Sequence, residues 1–216
     1  MIVPIDIVAD FVCPWCFIGT RRLRTAVAQA RREVPDLEVR PRWRPFFLNP
    51  DTPPEGEPYL PFLERKFGGR AAVEAIFERV RAAGRPYGLE YAFEKIRLRA
   101  NTLPAHRLAH WAQEQGAAEA LIERIYVGQF QRGEHLGDAA VLTAMAVECG
   151  YDRVRVAEYL ASERDRDAVL TEARELQALG INMVPTFILP GQRIIVGAED
   201  PTVLAAGLLA ALQPAP

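Results

Sequence analysis

Cysteine is scarce in this chain. There are three among 216 residues, with Cys149 far from the Cys13–Cys16 pair. Three cysteines do not make the disulfide framework of a small secreted domain, and such sparing use fits a reducing compartment. Histidine is equally sparse, with His106, His110 and His135 the only ones. A Cys-x-x-Cys without a second pair at similar spacing falls short of the four ligands of a structural zinc site. An excess of one charge is also missing: 26 basic against 28 acidic residues leave a net charge of −2 and a pI near 6.0. That excludes a constitutive nucleic-acid or anionic-membrane surface. No apolar run reaches the length of a membrane span. No basic region with an apolar stretch and a small-residue cleavage site precedes the first strand, so the expected location is the cytoplasm. Repeats and low-complexity segments are absent too. The length suits one large domain or a small domain carrying an insertion.

What is present is organised around Asp10-Phe11-Val12-Cys13-Pro14-Trp15-Cys16-Phe17-Ile18-Gly19. Upstream, residues 2–9 are short, apolar and β-branched, the pattern of a buried strand. Downstream, Leu23, Ala26, Val27 and Ala30 recur at the spacing of an amphipathic helix. The cysteine pair therefore sits where a strand hands over to a helix. Pro14 suits the first helical position, where a missing N–H costs nothing. Cys13 then lies at the positive end of the helix dipole, which favours a thiolate. It is expected to be exposed. Cys16, one turn further in, is expected to be covered and able to attack a mixed disulfide on Cys13. That is the minimal equipment for thiol–disulfide exchange. Asp10 has two readings, a strand-end structural residue or a proton acceptor for Cys16.

Leu37, Val39, Pro41 and Trp43 alternate with Glu38, Arg40, Arg42 and Arg44. This is a half-solvated strand, and its proline points to a sheet edge. Six prolines between Pro45 and Pro61 mark a loop leaving the sheet. Helical patterning follows over residues 61–67, 71–83, 103–115, 117–131, 139–149, 154–160 and 165–179. Thr102 and Asp138 are the expected N-caps. Residues 186–189 and 193–196 read as a hairpin across Pro190-Gly191, and Asp200-Pro201 opens a last helix. Leu142, Met145, Ala146 and Cys149 share one helical stripe, which makes Cys149 a core residue. His106 and His110 are four apart on a helix, yet no Glu-x-x-His or third ligand accompanies them, so no metal is expected.

The order β-α-β, helical block, α-β-β-α, with a cysteine pair at the first junction and a proline opening the third strand, resembles the DsbA-like thioredoxin-fold family. Within it the chain resembles the FrnE branch, related to 2-hydroxychromene-2-carboxylate isomerases and kappa-class glutathione transferases. The residues that carry the likeness run the length of the chain. They are Asp10 to Cys16, Pro45-Phe46-Phe47-Leu48-Asn49-Pro50, Asn101-Thr102-Leu103-Pro104-Ala105-His106-Arg107-Leu108, Gly180-Ile181-Asn182-Met183-Val184-Pro185-Thr186-Phe187, and Gly197-Ala198-Glu199.

The resemblance implies an α/β thioredoxin fold with a large inserted helical domain. Residues 1–45 and 165–216 would form the thioredoxin-like part and residues 46–164 the insertion. It implies a dithiol–disulfide oxidoreductase in which Cys13 attacks and Cys16 resolves. Pro14, Trp15, Val184, Pro185 and Thr186 would contact substrate, with Pro185 cis and facing the cysteines. Asn49, His106, Ala198 and Glu199 would be glutathione or cleft contacts. No tightly bound cofactor is expected, with glutathione a co-substrate and protein or small-molecule thiols and disulfides the partners of a monomer or homodimer. Two alternatives stand beside this. One is a glutathione-dependent isomerase or transferase, whose members usually carry serine where this chain has Cys13. The other is a non-enzymatic peptide-binding module.

Overall fold

The computed structural model describes residues 1–116 and 118–212. Ala117, the expected first residue of a helix running to Gln131, lies outside them, as do residues 213–216 of the expected thioredoxin-like part. By its internal contacts the chain divides into two compact units, Met1–Phe46 with Glu172–Pro216, and Phe47–Thr171.

The first unit is built on strand β1 (Ile2–Ala9), helix α1 (Pro14–Glu33) and strand β2 (Glu38–Pro45). β1 runs parallel to β2 over its full length, Ile2 opposite Glu38 through Ala9 opposite Pro45. The apolar side chains of Val3, Ile5 and Ile7 are each about 1% exposed, as the β-branched run predicts. β2 alternates along its length and occupies a sheet edge, where Pro41 sacrifices no ladder bond.

The second unit contains β3 (Glu57–Pro58), α2 (Tyr59–Phe67), α3 (Arg70–Gly84), β4 (Leu98–Arg99), α4 (Leu103–Glu114), α5 (Glu119–Val127), α6 (Ala139–Glu148) and α7 (Arg153–Ala161). The chain then returns through α8 (Arg166–Ala178), within which the division between units falls, to β5 (Thr186–Leu189), β6 (Arg193–Val196) and α9 (Pro201–Ala210).

In the sheet the order is β2-β1-β5-β6, with β5 antiparallel to both β1 and β6. α1 and α9 pack together on the face that carries Phe187 and Ile195. On the opposite face Leu176 of α8 meets Val8, Phe46 and Ile181, with Val184 and Ile188 at the margin. This is the thioredoxin fold, with the helical block inserted between β2 and α8.

The helical block departs from expectation in three places. Glu57-Pro58 pairs antiparallel with Leu98-Arg99, a short ribbon that carries no period-two signal. The helix expected to run to Gln131 leaves α geometry after Val127 and finishes in a π turn, Gly128–Arg132. Thr102 sits at the N-cap position of α4, but Asn101 Oδ1 accepts the Leu103 N–H at 3.0 Å. Asp138 and Asp200 cap α6 and α9 as expected, each accepting from the first helical turn.

Candidate active site at the first strand–helix junction

β1 ends at Ala9, and the Cys13 N–H donates to the Asp10 carbonyl at 3.1 Å, closing a turn that points the chain into α1. Cys13 keeps an extended backbone (φ −93°, ψ 109°) and is the N-cap residue, with Pro14 opening the helix. The first turn is Pro14-Trp15-Cys16-Phe17, without an acidic residue, so nothing there offsets the positive end of the dipole at Cys13. Arg31 and Arg32 match the opposite end. The Cys16 N–H donates to the Cys13 carbonyl at 3.0 Å.

Both cysteines are covered, which corrects the expectation of an exposed Cys13. Cys13 is 4% exposed and Cys16 not at all. A sequence pattern places Cys13 at a helix mouth but is blind to the loop that comes over it. That loop is the segment before β5. The Cys13 thiol donates to the Val184 carbonyl oxygen, 3.8 Å from Sγ, and the Val184–Pro185 peptide is cis. Trp15 and Pro14 remain half-buried.

The proline loop is tied down from three sides. The Pro185 carbonyl accepts the Gly197 N–H at 2.7 Å. Thr186 is buried, and its hydroxyl is turned back onto the Met183 carbonyl at 2.6 Å. From α1, Gly19 comes so close that a Cβ there would stand 2.9 Å from Pro185 Cγ. Arg22, one turn further along α1, donates to the Ala198 carbonyl. Cys13, Val184, Pro185, Thr186 and Ala198 thus belong to one cluster, while Glu199 beside it is exposed.

The electrostatics are asymmetric. Burial pushes the Cys16 thiol well above its ordinary range, and the hydrogen bond to Cys13 adds to this, as do the charges of Cys13 and Asp10. The Asp10 backbone N–H, which bonds the Cys16 sulfur, acts the other way. Asp10 itself is 1% exposed. Cys13, Cys16 and Cys149 are all free thiols. Cys149, expected in the core, is only half-buried. It ends α6 one turn past Met145 and Ala146, where the stripe runs out toward solvent. Burial still raises its thiol.

The remaining expected contacts lie in the second unit. His106 is buried and meets Phe47 edge-on, ring centroids 5.0 Å apart, so the motifs at residues 45–50 and 101–108 touch here. The Asn101 side-chain amide adds a bond to the Thr52 carbonyl at 2.7 Å. Asn49 accepts from Lys66 Nζ at 3.0 Å through its side chain and from Thr52 through its carbonyl. His110 is the half-buried histidine of the same helix. It lies with Glu114 and Asp165, one ligand atom of each within 4.8 Å of the others, and Asp165 also accepts from the Tyr159 hydroxyl at 3.0 Å.

Residues 4–208 match the family model described as the DSBA-like thioredoxin domain. The chain belongs to that family. The probable DsbA oxidoreductase SCO1869 from Streptomyces coelicolor superposes with a TM-score of 0.84 at 31% identity, covering 97% of this chain and 89% of that one. The cytosolic disulfide reductase DsbM from Pseudomonas aeruginosa, solved with GSH, gives 0.63 at 19% identity over 97% and 98% of the two chains. A 2-hydroxychromene-2-carboxylate isomerase gives 0.63 at 15% identity over 92% and 89%. The last two show a shared fold.

In this DsbA-like protein the parts that sequence reasoning left without a role are the supports. Gly19 carries a signal in hindsight, since a glycine inside a helix costs about 1 kcal/mol relative to alanine and calls for a packing reason. Arg22 and Arg107 carry none, because each bonds carbonyls distant in sequence. Arg107, buried, donates to the carbonyls of Tyr159, Ser162 and Arg164 at the end of α7.

Proposed function

We propose that this protein is a dithiol–disulfide oxidoreductase working through Cys13 and Cys16. The observation that carries the reading is the Cys13 sulfur held at a helix N-cap against the carbonyl before a cis proline, with a fully buried thiol one turn behind it. In the reductive direction the Cys13 thiolate attacks one sulfur of a client disulfide. The client S–S bond breaks, and its other sulfur leaves with the electron pair. Cys16 then attacks Cys13 Sγ, forming the Cys13–Cys16 disulfide and releasing the second client thiol. The client gains two electrons and the cysteine pair loses them, and the same steps reversed oxidise a dithiol.

Pro185 and Val184 shape the docking edge for an extended substrate. Glutathione is the small-thiol partner, a reading supported by the DsbM neighbour with GSH and by the closeness of Ala198 to the proline loop. The sparing use of cysteine suits a reducing compartment and supports cytoplasmic action. Among the described residues no helix is long and apolar enough to cross a membrane.

The test is trapping. Cys16→Ser accumulates mixed disulfides with a disulfide peptide or glutathione, and Cys13→Ser abolishes exchange. Trapping through Cys16 alone means the order of the two roles is wrong, and isomerisation of an aromatic substrate that persists in Cys16→Ser while insulin reduction is absent from the parent overturns the reading in favour of glutathione-dependent isomerase chemistry.

A further inference from the structure

The second unit carries a cluster of ligating side chains for which the disulfide chemistry has no use. His110 and Glu114 are four apart on α4, so both project from one face of that helix. Asp165 meets them from the turn between α7 and α8. One ligand atom of each residue lies within 4.8 Å of the other two. All three residues belong to the unit Phe47–Thr171.

The fold holds these elements together. Arg107, one turn before His110 on α4, donates to the carbonyls of Tyr159, Ser162 and Arg164. The end of α7 is thereby tied to the helix that carries His110 and Glu114, and Asp165 is the next residue along. The Tyr159 hydroxyl stands 2.9 Å from the Arg107 carbonyl and 3.0 Å from Asp165 Oδ2. Its single proton serves one of these acceptors at a time. Burial and the bond to Asp165 hold that hydroxyl above its ordinary range, so it stays a donor.

Positive charge is what the cluster lacks. Two carboxylates face one imidazole, and among the described residues neither Glu114 nor Asp165 makes an ion pair with a lysine or an arginine. The guanidinium groups of Arg107 and Arg164 lie over the Tyr159 ring instead, 5.2 and 5.4 Å from its centroid. His110 Nε2 is 3.8 Å from Glu114 Oε1, beyond hydrogen-bond reach. Ligands around a tetrahedral metal, each about 2.0–2.2 Å from it, stand about 3.4 Å from one another. Glu114 is exposed and Asp165 half-buried, so rotation of these two side chains closes the cluster to that spacing.

We propose that His110, Glu114 and Asp165 bind a divalent transition-metal ion, Zn²⁺, which fastens the start of α8 to α4. The imidazole sets the site apart from the all-oxygen shells of Ca²⁺ and Mg²⁺, and the lack of a thiolate sets it apart from Cu⁺. Three protein ligands leave the fourth position to water. Tyr159 is the outer partner that orients the Asp165 carboxylate. The site does not rest on the dithiol reading and stands or falls separately.

The experiment titrates Zn²⁺ into the full chain and follows the ring nitrogens of the three histidines by NMR. This signal belongs to histidine, so zinc taken up by the cysteines does not enter it. In the parent protein the His110 ring nitrogens shift with the added Zn²⁺ while those of His106 and His135 stay in place. The same titration with Mg²⁺ leaves His110 unmoved. Outer partners of a metal ligand are worth about 10–100-fold in affinity, so losing a ligand costs at least about tenfold. Glu114→Gln and Asp165→Asn each raise the Zn²⁺ concentration needed to shift His110 by that factor or more.

A His110 signal that Zn²⁺ does not move, or that Mg²⁺ moves equally, overturns the proposal. Should Asp165→Asn disturb the start of α8, Glu114→Gln decides, because Glu114 is exposed and its amide keeps the fold. A loss below about tenfold in Glu114→Gln then overturns the proposal, since a ligand is worth at least as much as its outer partner.

Discussion

Replacing Gly19 with alanine tests whether α1 and the proline loop are set by contact. The new Cβ would lie 2.9 Å from Pro185 Cγ and 3.3 Å from Phe187 Cζ. Both neighbours are buried, and Pro185 is a ring without a rotamer to yield, so α1 and the loop must part by a few tenths of an ångström. Two terms of opposite sign compete. Alanine is favoured over glycine inside a helix by roughly 0.5–1 kcal/mol. Overpacking a closed interior costs about 1–3 kcal/mol. At mid-range the packing term wins, and the net loss is up to about 2.5 kcal/mol, the difference of those ranges. For a chain of this size that lowers the melting temperature by up to roughly 10 °C. The same displacement moves the Val184 carbonyl away from Cys13 Sγ, now 3.8 Å apart. Exchange with a disulfide peptide, which uses the loop, falls more than alkylation of Cys13 by a small reagent. Gly207→Ala is the control. Its Cβ meets the flexible tip of Ile195 at 2.7 Å, remote in sequence from the cysteine loop, and that methyl can turn aside. A Gly19→Ala protein that melts at or above the parent temperature would refute the reasoning, because the helix-propensity term would then be the larger.

Native alkylation followed by mass mapping should label Cys16 last of the three cysteines, since it alone has no exposure and burial raises its thiol; early labelling of Cys16 contradicts the buried resolving role. Arg124 donates to both Glu134 and Glu148, and the Arg124 hydrogen bonds hold the Glu148 carboxyl down at about 2. A depressed carboxylate stabilises the fold above its unfolded value and loses that contribution as pH falls toward the folded one. The stability deficit of Arg124→Gln should therefore shrink between roughly pH 5 and pH 2, and a deficit constant across that window counts against the linkage. Arg107→Lys should melt well below the parent. One ammonium cannot reproduce the planar fork that reaches the carbonyls of Tyr159, Ser162 and Arg164 together, and each hydrogen bond lost from the charged group costs about 1.5–3 kcal/mol. Asn101→Ala should cost about 1–2 kcal/mol by denaturant melt and Thr102→Val less, because Asn101 makes the side-chain bond to α4.

The sequence by itself determined everything that local chemistry dictates. The β-branched run of residues 2–9 could only be a buried strand, and Pro14 could only open a helix at Cys13. The alternation around Pro41 made β2 an edge, and Asp138 and Asp200 had no better use than capping. Those signals depend on neighbours within a few positions, so a linear reading reaches them. Tertiary structure decided what those elements meet. The burial of Cys13 depends on Val184, 171 residues away, and the narrow approach of Gly19 to Pro185 depends on how α1 seats on β5. Asn101 displaced Thr102 as the cap because the same side chain also reaches the Thr52 carbonyl, and Cys149 lost its core place where α6 runs out of cover. The short β3–β4 ribbon joins two-residue strands separated by residues 59–97 of helix and loop, too brief for any periodicity to register. Hydrogen bonds and contacts between distant residues leave no spacing in the chain, and the geometry around the two sulfurs is made of them.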